Sequence, residues 1–149
     1  MCMQWGIILR DMHSFYDWRA YLERAEIGYP KQKKIVDTVP FFNGNYDFSY
    51  LYGGKKFYEE RSLAFIFGFK ERNRILLLDK VNRFVNWLEQ DCGKKKLIYT
   101  KTPEYHFSAE LSEVVVEYPI SSVAKITATF TAYPFRIPND PNSVLSEVI

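Results

Sequence analysis

His106, Ser108 and Glu110 supply an imidazole base, a hydroxyl nucleophile and an orienting carboxylate at alternating positions, the side chains of a hydrolytic relay. Their spacing argues against one. On a strand, residues two apart share a face but stand ~6.6 Å apart along the chain, whereas a working hydroxyl–imidazole pair meets within about 3 Å. The trio therefore reads as a polar strand face. His13, Ser14 and Asp17 repeat these residue types inside HSFYD, which reads as a turn, and nearness in a turn fixes no mutual geometry. For metal binding, His13 and His106 are the only histidines and lie far apart, and Cys2 and Cys92 show no ligand spacing. Glu59 and Glu60 are adjacent, so on a strand they point to opposite faces. Gly53-Gly54 before two lysines matches neither a phosphate loop nor a dinucleotide fingerprint and reads as a hairpin turn. The expectation is no catalytic, cofactor-binding or metal-binding residue, and no enzyme.

The elements that would hold these residues are mostly strands. Leu63, Phe65, Phe67 and Phe69 alternate with Ser62, Ala64, Ile66 and Gly68, the pattern of an interior strand with two fairly apolar faces. Ile126, Ala128, Phe130 and Ala132 alternate with Thr127, Thr129, Thr131 and Tyr133, giving one buried and one threonine-rich face that Pro134 terminates. Further strands are expected at Trp5–Leu9, Tyr21–Ile27, Lys96–Tyr99 and Tyr105–Glu117, with a turn at Tyr118–Ser122 around Pro119. One helix is expected from about Asn73 to Asp91. Leu77, Val81, Phe84 and Leu88 recur at helical spacing, Leu78 and Val85 widen the stripe, and Asp79 and Arg83 can pair on the polar side. Gly93 would end the helix in a left-handed conformation. The fold class is α+β: largely antiparallel, sandwich-like sheets with one long amphipathic helix packed on a sheet.

Composition narrows the role. The 149 residues suit one domain, and 47% hydrophobic against 26% charged residues is a globular balance. A net charge of +2 gives no whole-chain signal for nucleic acid, and the basic runs Lys31–Lys34 and Lys94–Lys96 read as solvated loops. No signal peptide and no apolar run of ~20 residues is visible, and the unpatterned cysteines suit a reducing compartment. The expectation is a soluble chain kept inside the cell or packaged into something assembled there, with no membrane partner. The stretch Pro138–Ile149, with two prolines and polar residues before a short apolar end, reads as a linker or the start of a further domain after a 1–137 unit.

Aromatic residues reach 17%, and they crowd the segment from Val39 to Phe69. Large apolar rings between turn residues are costly to leave in water and usually mark surfaces that another protein covers. The Lys31–Tyr52 segment is thus the expected subunit interface, with Phe41, Phe42, Tyr46, Phe48 and Tyr52 as candidate anchors. The competing reading is a small carbohydrate-binding β domain without enzymatic activity, stacking sugars on Trp5, Trp18, Trp87 or the tyrosines.

The order of these pieces carries a resemblance. HSFYDWRAYL, then IGYPKQKKIVDTVPFFNGNYDFSYLYG, then YEERSLAFIF, the amphipathic helix and ITATFTAYPFRI together resemble the N-terminal domain of the distal tail proteins of long-tailed phages and prophages, from about Trp5 to Ile137. No single piece is diagnostic; order and spacing are the signal. The resemblance implies a structural virion component of the tail, assembled in the host bacterial cytoplasm. It implies a homo-oligomeric ring, typically hexameric, joining the tail tube to the tail-tip or baseplate adsorption apparatus. DNA would pass through the lumen as cargo. Many members carry a galectin-like C-terminal domain, and this sequence departs there. It is expected to be either a short member or a domain cut from a longer protein.

Overall fold

The structure is a computed structural model that describes residues 5–32, 36–38, 45–47, 58–90 and 93–139. Strands β1 (Ile7–Leu9), β2 (Met12–His13) and β3 (Tyr21–Ile27) come first, followed by β4 (Val36–Thr38) and β5 (Asn45–Asp47). Then come β6 (Arg61–Lys70), helix α1 (Arg74–Glu89), β7 (Lys95–Tyr99), β8 (Tyr105–Ile120), β9 (Val123–Ala132) and β10 (Ile137–Pro138). An eight-stranded antiparallel sheet has the order β2-β1-β7-β8-β9-β6-β3, with β10 pairing β8, and β4 pairs β5 separately. The α+β class expected from the sequence is the class observed.

Alternation in the sequence becomes register in the sheet. Leu111, Phe130, Leu63 and Ile27 form one row across β8, β9, β6 and β3, and Val116, Ile126, Phe67 and Leu22 form another. These rows lie on the core face, where Leu63, Phe65, Phe67, Ile126 and Phe130 are buried. The opposite face carries rows such as Arg24–Ile66–Thr127–Val115 and Glu26–Ala64–Thr129–Glu113, the threonine-rich side. The sheet curls over its own core. Phe65 on β6 and Tyr99 on β7 stand with ring centroids 5.7 Å apart although β8 and β9 lie between their strands. A flat sheet would separate strands three places apart by about 14 Å.

Helix α1 closes the core face. Asn73 caps it, its side chain accepting from the Ile75 N–H at 3.0 Å. Leu77, Val81, Phe84, Trp87 and Leu88 are buried, and Phe84 packs edge-on against Phe67 and Phe69 at 5.0 and 5.2 Å. Asp79 and Arg83 pair at 3.1 Å as expected. Leu78 does not widen the stripe: it is 37% exposed, because the 100° step per residue turns it past the sheet. The helix stops at Glu89, and Gly93 takes the left-handed conformation (φ +78°) on the approach to β7.

Two local features depart from the sequence reading. Strand β8 runs on through Pro119 to Ile120, beyond the turn expected at Tyr118. Its register shifts between Glu117 and Ile120, and a bulge accommodates a proline that a regular ladder would reject. The β1–β2 hairpin, with Leu9 facing Met12, turns through Arg10 (φ 53°) and Asp11 (φ 62°). That is the two-residue geometry that usually selects Asn-Gly.

Candidate interaction surfaces

Ser14, Asp17 and His13 each hold backbone groups. Ser14 is buried; its Oγ accepts from the Ile7 N–H at 3.0 Å and its own N–H donates to the Ile7 carbonyl at 2.9 Å. Asp17 Oδ2 accepts from the His13 N–H at 2.6 Å, and His13 Nδ1 accepts from the Phe15 N–H at 3.0 Å. An accepting Nδ1 requires a neutral ring, and burial holds the His13 pKa below its ordinary value despite the opposing pull of Asp17. Gly6 faces this loop so closely that a Cβ there would lie 2.4 Å from Ser14 Oγ. The loop is a clamp that fastens β1.

His106 is likewise occupied. Its Nδ1 stands 2.7 Å from Asn139 Oδ1, while Asn139 donates from Nδ2 to the Pro103 carbonyl at 2.7 Å and from its N–H to the Glu104 carbonyl at 2.9 Å. Ser108 contributes its carbonyl to the Tyr133 N–H at 2.9 Å. The strand geometry thus turns His106 to the β10 segment rather than to Ser108 or Glu110.

Of the expected interface anchors, Phe41, Phe42, Phe48 and Tyr52 lie outside the described residues. Tyr46 is on β5, where its backbone pairs with Asp37. The described residues offer a different pair of surfaces. Strands β8, β9, β6 and β3 form a four-stranded unit, and on its far side β3 pairs, among the described residues, only with β6. On the near side β7 covers β8 only along Phe107–Ala109, so the outer edge of β8 from Leu111 to Ile120 has no strand beside it among the described residues. One sheet thus ends in two open backbone edges of unlike sequence. The β3 edge carries Tyr21 and an exposed Arg24–Glu26 pair at 3.0 Å, with a register shift between Leu22 and Arg24. The β8 edge carries Glu113, Val115, Glu117, Tyr118 and Ile120, the last 60% exposed.

A third apolar group adjoins the β8 tip. The Arg74 guanidinium lies 5.2 Å from the Tyr118 ring centroid, and Glu71 N–H donates to the Ser122 carbonyl at 2.9 Å. These contacts set the start of α1, with exposed Ile75 and Leu76, against the β8–β9 turn. Clustered exposed side chains of this size are unusual on a surface that stays in water.

The open β8 edge was within reach of the sequence. Where a strand of about 13 residues has only one of about four beside it, most of its length stays uncovered on that side.

No protein-family profile matches the chain, and no curated protein matches it. Among solved structures, the chain matches the crystal structure of SPP1 Dit (gp 19.1), described as a paradigm of the hub adsorption apparatus in phages infecting Gram-positive hosts. The TM-score is 0.71 over 91% of this chain, at 10% sequence identity. The fold is like that of SPP1 Dit. The chain spans about half of SPP1 Dit, 53% of its length, and at this identity the likeness is one of fold.

Proposed function

We propose that this chain is a non-enzymatic structural subunit of a phage-type tail. In this reading it forms a ring of identical copies, hexameric in the assembled tail, that joins the tail tube to the tail-tip adsorption apparatus. The lumen would pass DNA as cargo, and the tube and tip proteins would be its other partners. The observation that carries the reading is the pair of unlike edges, open among the described residues, on opposite sides of the β8-β9-β6-β3 part of the sheet, in a fold that resembles SPP1 Dit.

A closed ring needs a heterologous contact, in which each copy presents two different surfaces. An open edge on β3 of one copy and on β8 of the next can continue a single sheet across the boundary. Main-chain hydrogen bonds would supply affinity, and Tyr21, Val115 and Ile120 the side-chain match. The carbohydrate-binding alternative draws less support. Trp87 is buried, Trp18 packs against it at 5.7 Å, and of the three tryptophans only Trp5 is well exposed.

Light scattering across a concentration series, followed by negative-stain imaging, tests the proposal. Mass rising to a multiple of the chain, with open-centred particles, is the expected result. A strict monomer at high concentration, alone and when mixed with tail-tube protein, would overturn it.

A further inference from the structure

Arg61 begins β6 with an alternation-coded inward position, and it is 3% exposed. Its Nε donates to the Gly28 carbonyl at 2.8 Å and its Nη1 to the Pro134 carbonyl at 3.3 Å. The guanidinium stands 5.4 Å from the Phe107 ring centroid. Both acceptors are neutral, and no carboxylate among the described residues pairs with it. A buried charge without a counter-charge is expensive to keep. A second cation, Arg136, which stacks over the Tyr105 ring at 5.1 Å, stands near: burial first, and then Arg136, hold the Arg61 pKa below its ordinary value.

The two arginines line one cavity of about 230 Å³, together with Tyr29, Tyr99 and Thr102. The hydrogen bonds of Arg61 use Nε and Nη1, with no acceptor for Nη2 among the described residues, and Arg61 is part of the wall of that cavity. The space is several times the roughly 30 Å³ share of one water molecule, ample for a phosphate or a carboxylate group. A planar guanidinium fork matches the paired oxygens of such groups.

We propose that this cavity is an oxyanion-binding site, with Arg61 as its fixed floor and Arg136 as the second cation, taking a phosphate or carboxylate group. The bound oxyanion supplies the missing counter-charge where the end of β3, the start of β6 and the segment after β9 meet. The site stands independently of ring formation.

Isothermal titration of the full chain with inorganic phosphate, and separately with acetate, against chloride at matched ionic strength, tests it. One saturable site for phosphate is expected, weakened tenfold or more in Arg136→Gln, whose melting in chloride checks that it remains folded. Arg61→Lys, which keeps the charge and loses the fork, is expected to weaken binding as well. Light scattering in phosphate then separates the sources of the anion. Unchanged mass points to a free oxyanion, and a phosphate-dependent fall in mass to an acidic side chain of an adjoining copy that phosphate displaces; either keeps the site. Absence of saturable binding for both anions overturns the proposal, as does equal phosphate affinity in the wild type and both variants.

Discussion

The two halves of β8 share one strand and one alternating pattern, yet they live in different surroundings. In the half from Tyr105 to Leu111 the strand pairs with β7 along Phe107–Ala109 on one side and with β9 and β10 on the other, and Phe107 and Ala109 are buried. From Ser112 to Ile120 it keeps β9 alone among the described residues, and Val115 and Ile120 meet solvent. Alternation sets which residues share a face; the length of the neighbouring strands sets whether that stretch is covered. The covered half belongs to the chain's own stability, and the uncovered half is the one that the proposed ring would use.

The largest expected effect breaks the covered half. Phe107→Ala removes a ring that is 2% exposed, under Arg61 and beside the β7 pairing. It should cost about 3–5 kcal/mol, read as a fall in the urea midpoint. A loss under about 1 kcal/mol would mean that the proximal half is not a core element. In the other half, Val115→Lys with Ile120→Lys should change subunit stability by no more than about 0.5 kcal/mol each. Lysines on an open edge oppose strand addition, so the same double variant should lose the high-mass species in light scattering. If it unfolds the subunit, or leaves assembly intact, the division of β8 fails.

The strands, the helix and their class were legible because burial on one side of a sheet imposes a two-residue period and packing on that sheet imposes a helical one. Leu63 to Phe69 and Leu77 to Leu88 obey these rules almost residue by residue. What escaped was decided by pairing and packing that local residue types do not show. Pro119 signals a turn by local rules, but the register shift beside β9 lets the strand run past it. Arg61 looked like one basic residue among 20 until Gly28 and Pro134 closed around it. The edge of β8 needed only a comparison of strand lengths. The aromatic anchors from Phe41 to Tyr52 fall, apart from the backbone of Tyr46, outside the described residues, so the comparison of the two halves rests on β8 itself.

Sharper tests act on the strands that flank the covered half. The β1–β2 hairpin extends the sheet beyond β7, and its turn holds Asp11 at φ 62°, where a side chain crowds the backbone. Asp11→Gly relieves that crowding and should raise stability by about 1 kcal/mol, seen as a higher melting temperature. The mass distribution in solution should not move, since the uncovered half is untouched. A lower melting temperature would show that the Asp11 side chain contributes more than its conformation costs.

The smallest expected effect is a pH dependence confined to the same flank. His13 accepts the Phe15 N–H through Nδ1 only while neutral, and its folded pKa lies below the ordinary 6.5, by burial and against Asp17. Above that value the ring is neutral in both states and the clamp on β1 is intact. As pH falls below it, the unfolded chain takes up the proton first, and stability declines until pH passes the folded pKa. His13→Asn keeps an acceptor for the same backbone N–H groups, as asparagine commonly does in turns, and cannot titrate. Melting temperatures at pH 7.5, about 6.5 and about 5.5 should therefore fall more steeply for the wild type than for His13→Asn, with the two closest at the alkaline end. The carboxylate of Glu71, lowered by its hydrogen bond and charge pairing with Lys80, titrates below this window and is common to both proteins. Parallel curves would mean that the His13 ring can be protonated without releasing β1, and that the cover over the proximal half of β8 does not depend on that hydrogen bond.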